Sequence, residues 1–250
     1  MWVTDLIEPI VIIYILILLL PFLILFVPFL IAWLKGMKKL RYAHEKYARA
    51  LDITIRRLFG ASTLYEVSGP LEAAFLAEGR ERIQGRVWLV DRRAYFYYLA
   101  KVFRPLNDLL FFSISIEKTP GCSMIIVPRD KPSIVDRAMA YSEQLKLVDI
   151  RGLDEFFILT DNASILKHVF DRFIIQELIN MRRHISYIVV DYTEPNIELY
   201  VEVNEGNYSE LIPRMLTLIK MLIQNVTKIS PRKTTLDTII KLKRALKQIS

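Results

Sequence analysis

A long uncharged run near the N-terminus constrains the fold of this chain more than any other feature. Residues Pro9–Leu34 are almost all Ile, Leu, Val, Phe or Pro, and no Asp, Glu, Lys or Arg lies between Glu8 and Lys35. As a helix rising about 1.5 Å per residue, the run would be roughly 39 Å long, against about 30 Å for a bilayer's hydrocarbon core. The sequence therefore predicts one transmembrane helix, tilted or bent at Pro21 or Pro28.

A cleaved signal peptide is the alternative, and the flanks of the run argue against it. Residues 1–8 contain Asp5 and Glu8 but no Lys or Arg, and no small-residue cleavage site follows the apolar run. The segment from Lys35 to Arg57 instead holds eight Lys and Arg residues. This charge pattern is typical of a membrane anchor whose basic side stays in the cytosol.

The membrane-proximal basic residues set the expected orientation, and they are Lys35, Lys38, Lys39 and Arg41. We expect the N-terminus outside and the rest of the chain in the cytosol, in the plasma membrane of a prokaryote or the endoplasmic reticulum membrane of a eukaryote. Sequons at Asn162, Asn207 and Asn225 would accept glycans if the domain were outside. We therefore expect none of them to be modified, and the lone Cys122 agrees with a reducing compartment.

The net charge of +7 is concentrated in two segments. The formal charge is −2 for residues 1–34, +6 for 35–57, −3 for 58–227 and +6 for 228–250. Topology explains the first basic segment but not the second, so the C-terminal segment is the better indication of a polyanionic partner. The predicted ribosome- or RNA-binding residues there are Lys228, Arg232, Lys233, Lys241, Lys243, Arg244 and Lys247.

This C-terminal segment is also amphipathic, which leaves three interpretations open. Its apolar stripe consists of Leu236, Ile239, Leu242, Leu246 and Ile249. The predicted helix could pack on its own domain, lie on a membrane surface, or contact nucleic-acid phosphates. The sequence does not separate these alternatives.

The remaining periodicity predicts an α+β domain with a largely antiparallel sheet covered by long helices. We predict an extracytosolic N-terminus (1–8), a transmembrane helix (9–34), a juxtamembrane basic helix (35–60), an α/β domain (61–230) and a basic C-terminal helix (231–250). Within the domain, strands are predicted at 82–90, 109–117, 124–127, 156–159, 185–192 and 197–203. Helices are predicted at 92–103, 133–145, 163–184 and 208–229, with irregular chain at 61–80 that includes a short helix at 71–76.

The turns between these elements predict which strands pair and where two of the helices begin or end. Thr119-Pro120-Gly121 suggests that the strands at 109–117 and 124–127 form a hairpin, and Glu194-Pro195-Asn196 suggests a second one. Asp161 or Asn162 is the expected cap of the long helix at 163–184. Gly60 is the expected stop of the juxtamembrane helix.

No motif for catalysis or cofactor binding is recognisable. His44, His168 and His184 do not have metal-ligand spacing, and Cys122 has no nearby His in the sequence. No phosphate loop, dinucleotide fingerprint or nucleophile elbow occurs among the few glycines. We therefore predict a non-enzymatic protein without a metal or cofactor.

The segment Arg92–Asp108 (RRAYFYYLAKVFRPLND) resembles the calumin family, the coiled-coil-domain membrane proteins of the PAT complex of the eukaryotic multipass translocon. The matching positions are Leu99, Ala100, Arg104, Pro105 and Asp108. The likeness continues in order through Gly85-Arg86-Val87, the segment at 157–161, the later strand and helices and the basic C-terminal helix. The matched residues are expected to be structural, with Pro105 ending a helix and Asp108 capping or pairing locally.

The resemblance implies a factor beside the Sec translocon and the ribosome that assists insertion and folding of multi-spanning membrane proteins. Its implied partners are the translocon, ribosomal RNA, the lipid bilayer and a small multi-spanning membrane protein. The acidic lumenal segment and the long coiled coil of that family have no counterpart here, which suggests a minimal archaeal relative and gives no reason to expect calcium binding. The alternatives are a membrane-anchored enzyme or ligand-binding domain, and a membrane-surface scaffold.

Overall fold

The computed structural model describes residues 4–93, 97, 106–141, 145–192, 194–204 and 206–228. The helices there are α1 (Thr4–Phe59), α2 (Pro132–Tyr141), α3 (Leu166–Val169), α4 (Arg172–Met181) and α5 (Tyr208–Val226), with a 3-10 turn at Ala163–Ile165. The strands are β1 (Thr63–Val67), β2 (Glu72–Ala77), β3 (Ile83–Trp88), β4 (Asp108–Ser115), β5 (Met124–Pro128), β6 (Lys146–Val148), β7 (Phe156–Thr160), β8 (Ile185–Asp191) and β9 (Asn196–Val203). Most of the helix predicted at 92–103 and all of the C-terminal helix predicted at 231–250 lie outside the described residues.

The chain divides into two compact units. The first comprises residues 1–43 and 90–106, and the second comprises residues 44–89 and 107–250. Helix α1 contributes residues to both, because it runs without a break from Thr4 to Phe59.

In the first unit, α1 is long and apolar enough to cross a membrane. Between Leu19 and Phe59, its most apolar stretch of 18 residues has a mean hydropathy of 2.1. Only 6% of that stretch is buried. The predicted N-terminal apolar helix is therefore present, and it continues through Pro21 and Pro28. Exposed apolar side chains along it include Ile24, which is 61% exposed.

Gly36 marks a close approach within the first unit. The backbone of Arg92 and Arg93 passes so close to it that a Cβ at this position would lie less than 3.0 Å from their atoms. Only glycine fits here without a shift of one of the two chain segments.

The second unit is built on a nine-stranded sheet in the order β1-β2-β3-β4-β9-β8-β5-β7-β6. Every strand pair in it is antiparallel. The predicted mixed fold with a largely antiparallel sheet is thus confirmed. The predicted hairpin at Glu194-Pro195-Asn196 is also present, with Asp191 opposite Asn196.

The predicted hairpin between 109–117 and 124–127 is wrong. Strand β4 lies between β3 and β9, whereas β5 lies between β8 and β7. The connecting segment does not fold back, because Gly121 N–H donates to the Val226 carbonyl at the end of α5 and Ser123 N–H donates to Asp161. These bonds lead the chain to the other half of the sheet.

The short helix predicted at 71–76 is also wrong, because this segment is strand β2, paired with β1. The irregular chain predicted at 61–80 is therefore largely a hairpin. Ala73, Phe75 and Ala77 alternate inward and are buried, which is the pattern of a half-buried strand. Alanine has low β propensity and high helix propensity, so the local sequence favours a helix where the structure has a strand.

The long helix predicted at 163–184 is broken after Val169. Asp171 has extended backbone and its side chain accepts a hydrogen bond from Ile174 N–H at 2.9 Å, so it starts α4. The predicted cap Asn162 makes no side-chain capping bond, and Asp161 accepts from Ser123 N–H instead. Two short helices replace the predicted long one because the Asp171 carboxylate caps a new helix N-terminus.

Helices cover one face of the sheet. Tyr47, Leu51 and Ile55 of α1 are completely buried, Gly60 ends α1 with φ +70°, and α5 buries one side along its full length. The other face is divided. Helix α2 packs over the β5, β7 and β8 half, where its Ile134, Val135 and Ala138 join Ile125, Val127, Leu145, Leu159, Tyr187 and Val189 in one core.

We expect Gly85→Ala to destabilise the second unit strongly. A Cβ at Gly85 would lie less than 3.0 Å from the Phe111 carbonyl oxygen and from the ring of Phe75. Overpacking of this kind lowers the free energy of unfolding by about 3 kcal/mol, which urea unfolding of the detergent-solubilised protein would measure. Gly69→Ala is the matched control because a Cβ there meets open space. Equal stability of the two variants would contradict this packing.

Candidate functional site

The uncovered half of the second sheet face forms a groove. It has a volume of about 740 Å³ and lies on β1, β2, β3, β4 and β9. We name it the open-face groove. Its side chains include the aromatic Trp88, Phe111 and Tyr200, the apolar Leu64, Ala74 and Leu76, and the polar or charged Glu66, Arg82, Gln84, Arg86, Ser113, Glu194, Asn196 and Glu198.

A row of aromatic rings connects the groove to the core beneath α2. The rings of Phe111 and Tyr200 lie 4.5 Å apart, and Tyr200 stacks on Tyr187 with centroids 4.4 Å apart. Burial raises the pKa of Tyr187, and its interaction with Tyr200 raises it further. Because the row is continuous with the core, the floor of the groove is held in place by packing.

The charges of the groove are mixed. Arg82 and Arg86 line it together with Glu66, Glu194 and Glu198, and Arg86 forms a loose ion pair with Glu72 at 3.6 Å. This balance does not favour a polyanion, which would meet more negative than positive charge. An apolar floor, aromatic rings and charges of both signs together suit a polypeptide with both apolar and charged side chains.

Glu202 anchors a polar cluster on the same sheet face. It accepts hydrogen bonds from Lys131 Nζ at 2.7 Å and from Asn107 Nδ2 at 3.0 Å, with Ser186 at 3.4 Å. Burial alone would raise the pKa of Glu202, but the bonds from Lys131, Asn107 and Ser186 outweigh it and hold the pKa below its usual value. The cluster ties β9 to β8 and to the start of α2.

We expect Glu202→Gln to weaken the dependence of the free energy of unfolding on pH under acidic conditions. A carboxyl whose folded pKa is depressed stabilises the fold fully above its unfolded pKa of about 4.3 and loses that contribution as the pH falls through the folded pKa. The variant should be less stable at neutral pH and lose less stability below about pH 4.3. Urea unfolding across that range, with the exposed Glu78→Gln as control, would show this; parallel curves for wild type and Glu202→Gln would contradict it.

A second polar cluster is buried on the helix-covered face. Tyr47 Oη donates to Asp108 Oδ2 at 3.3 Å, and His44 lies with Nδ1 3.0 Å from Tyr65 Oη and Nε2 3.1 Å from the Pro70 carbonyl oxygen. Burial raises the pKa of Tyr65, and the charge of Asp108 raises it further. Asp108 is 1% exposed and so links β4 to α1, 61 residues earlier in the chain.

The other sequence-predicted residues are distributed as follows. Lys35, Lys38, Lys39 and Arg41 lie exposed on α1 of the first unit. Lys228 is exposed after α5, with Nζ 3.3 Å from Asn225 Oδ1. Predicted residues that lie outside the described part of the chain are Leu99, Ala100, Arg104, Pro105, Arg232, Lys233, Lys241, Lys243, Arg244 and Lys247.

The histidines and the cysteine have separate surroundings. His168 is exposed on α3, and His184 Nδ1 lies 3.0 Å from the Glu202 carbonyl oxygen. Cys122 is buried, and burial together with the nearby Asp161 raises its pKa to about 12. Within the described residues, no three His, Cys, Asp or Glu side chains form a group that could hold a metal ion.

Comparison with solved structures shows a weak likeness in fold. No protein-family model matches this chain, and no curated protein matches it. Its fold is distantly similar to the crystal structure of the mycobacterial trehalose monomycolate transport factor A, TtfA, with a TM-score of 0.35 and 8% sequence identity. That match covers 70% of this chain and 76% of the other.

Sequence reasoning missed the open-face groove. Its signal was present in β3, where Gln84, Arg86 and Trp88 alternate with buried residues and point to one face. The groove also needs β4 and β9 as neighbours, which the incorrect hairpin did not provide. The ladder from Phe111 to Tyr200 places the two aromatic rings together.

Proposed function

We propose that this protein is a membrane-anchored, non-enzymatic factor that assists the insertion and folding of multi-spanning membrane proteins beside the Sec translocon and the ribosome. Its N-terminus lies outside and its sheet unit lies in the cytosol. The basic C-terminal segment, including Lys241, Lys243, Arg244 and Lys247, contacts ribosomal RNA. The resemblance to the calumin family and the placement of basic residues support this proposal.

One observation carries the membrane part of the proposal. The same helix, α1, supplies an exposed apolar segment of membrane-spanning length and the completely buried Tyr47, Leu51 and Ile55 of the sheet unit. Exposed Leu, Ile and Phe side chains over such a length are stable in hydrocarbon and not in water. Lys35, Lys38, Lys39 and Arg41 follow directly, and they favour the cytosolic side for everything after them.

The open-face groove supports the client part of the proposal. A chaperone for membrane proteins meets segments in which apolar residues are bordered by Lys and Arg. The aromatic floor and the carboxylates of Glu66, Glu194 and Glu198 are complementary to such a segment. Contact with the groove would shield the segment before it is inserted.

Sedimentation of ribosomes from native membranes tests the proposal. Ribosomes pelleted at moderate salt should carry this protein, and rising salt should release it because the contact is with phosphate. Ribosomes that carry none of it at any salt concentration would refute the proposal.

A ligand-binding domain on a membrane anchor is the second candidate, and the size of the open-face groove favours it. A groove of about 740 Å³ is large enough for a small molecule. If a small molecule, rather than a polypeptide, co-purifies with the protein from native membranes and protects groove residues, this second candidate replaces the first.

A further inference from the structure

Strand β1 is the edge of the sheet, and its outward backbone groups can be assigned from the ladder. Ser68 N–H donates to the Glu72 carbonyl, and Leu89 N–H donates to the Leu71 carbonyl. In an antiparallel ladder, alternate residues direct both backbone groups to the same neighbour. In the β1–β2 register, residues 64, 66 and 68 therefore face β2, whereas Thr63, Tyr65 and Val67 face away from the sheet.

Among the residues that the structure describes, the outward backbone groups of β1 are hydrogen-bonded at one end of the strand only. Thr63 N–H donates to Asp52 Oδ1 at 3.1 Å, which α1 supplies. Within the part of the chain that the structure describes, no hydrogen bond engages the backbone N–H or C=O of Tyr65 or Val67. Water can satisfy these groups, but so can the backbone of another strand.

The side chains at the edge add a chemical preference. Leu64 on the groove side is 67% exposed and Val67 on the opposite side is 52% exposed. Native edge strands are usually protected by Lys, Pro or a bulge, and β1 (TLYEV) has none of these. Its only charged residue is Glu66, which lines the open-face groove and would pair with a cation.

We infer that the β1 edge is a binding site for an extended polypeptide segment, which adds to the sheet as a tenth strand beside β1. The backbone of Tyr65 and Val67 supplies the hydrogen bonds, and Leu64 and Val67 select apolar side chains on the two faces. Glu66 selects a Lys or Arg beside the groove. This inference rests on the proposed function, since it identifies the bound partner as an apolar stretch of client chain bordered by a basic residue.

Hydrogen exchange resolved to single amides in the full-length protein in detergent micelles tests this assignment. The probe is a synthetic seven-residue peptide of alternating Val and Thr that ends in Arg. Before its addition, the amides of Tyr65 and Val67 should exchange faster than those of Leu64 and Glu66. The peptide should slow Tyr65 and Val67 at least tenfold and leave the amides of α2 unchanged.

Two matched controls isolate the backbone contact. A peptide with the same side chains but N-methylated at every residue has no N–H on either edge and cannot pair with a strand, so it should give no protection. Val67→Pro removes one outward donor at the end of an edge strand, where proline is tolerated, and should weaken peptide binding at least tenfold relative to Val67→Thr. If Val67→Pro fails to fold, the N-methylated peptide still decides the outcome.

The results that would overturn the inference are distinct from failure of the proposed function. Equal protection by the N-methylated peptide, or no protection at Tyr65 and Val67, refutes strand addition while leaving ribosome sedimentation unaffected. Protection that appears without peptide and grows with protein concentration would assign the edge to a second copy of this chain. If the peptide protects Tyr65 and Val67 but ribosomes do not carry this protein, the binding site at the β1 edge is supported and the role in membrane protein biogenesis is refuted.

Discussion

A chain in which Leu23 and Val27 are both changed to Asp should leave the membrane fraction. Both residues lie in the apolar part of α1, where they are 47% and 41% exposed. An Asp near the centre of a membrane helix costs about 2.5 to 3.5 kcal/mol, so the pair costs about 5 to 7 kcal/mol. We expect most of the double variant in the supernatant after alkaline carbonate extraction, where the wild type stays in the pellet.

Ile53→Asp combined with Met139→Asp is the matched control. These side chains are 59% and 47% exposed but lie beyond the apolar segment, on the later part of α1 and on α2. This control should remain in the pellet. A Leu23 and Val27 double variant that resists extraction as well as the wild type would contradict a membrane-spanning α1.

Charge reversal of the C-terminal segment should abolish ribosome binding. Changing Lys241, Lys243, Arg244 and Lys247 to Glu replaces four positive charges by four negative ones. Since each phosphate contact contributes a slope of about 0.7 to 0.9 to the fall of log affinity with log salt, four lost contacts remove about three units of slope. Co-sedimentation of the purified protein with ribosomes across a salt series measures both the affinity and the slope.

The control for this experiment has the same change of net charge elsewhere. Arg57, Lys118, Arg151 and Lys167 are exposed on the sheet unit, and changing them to Glu should leave most of the binding intact. If both variants lose binding equally, the interaction depends on overall charge and not on the C-terminal segment. If the reversed segment loses binding to anionic vesicles but not to ribosomes, it belongs to the membrane surface.

Local sequence patterns correctly predicted the helices and strands that their own residues are sufficient to identify. The apolar segment and the strands containing Phe111, Ile158 and Val189 are continuous apolar runs, and the juxtamembrane helix ending at Gly60 has apolar residues at three- and four-residue steps. The hairpin of β8 and β9 was predicted because its turn chemistry is local. For each of these, the information lies within one continuous segment of the chain, so local periodicity and composition are enough to identify it.

The errors arose where distant contacts decide the structure. Gly121 bonds to Val226 and Ser123 bonds to Asp161, and both bonds connect residues that no local pattern relates. The break before α4 depends on Asp171, whose carboxylate also accepts from Asn225 Nδ2 at 3.0 Å. The open-face groove requires five strands to be in register, so no single segment of sequence contains it.

Photo-crosslinking in native membranes tests the central proposal most directly. A photoreactive amino acid at Phe111, in the open-face groove, should form adducts with ribosome-bound chains of newly made multi-spanning membrane proteins. Puromycin release should remove these adducts, and the same probe at the exposed Phe173 of α4 should form far fewer. Adducts at Phe111 that survive release unchanged, or that contain only soluble proteins, would contradict a role in membrane protein biogenesis.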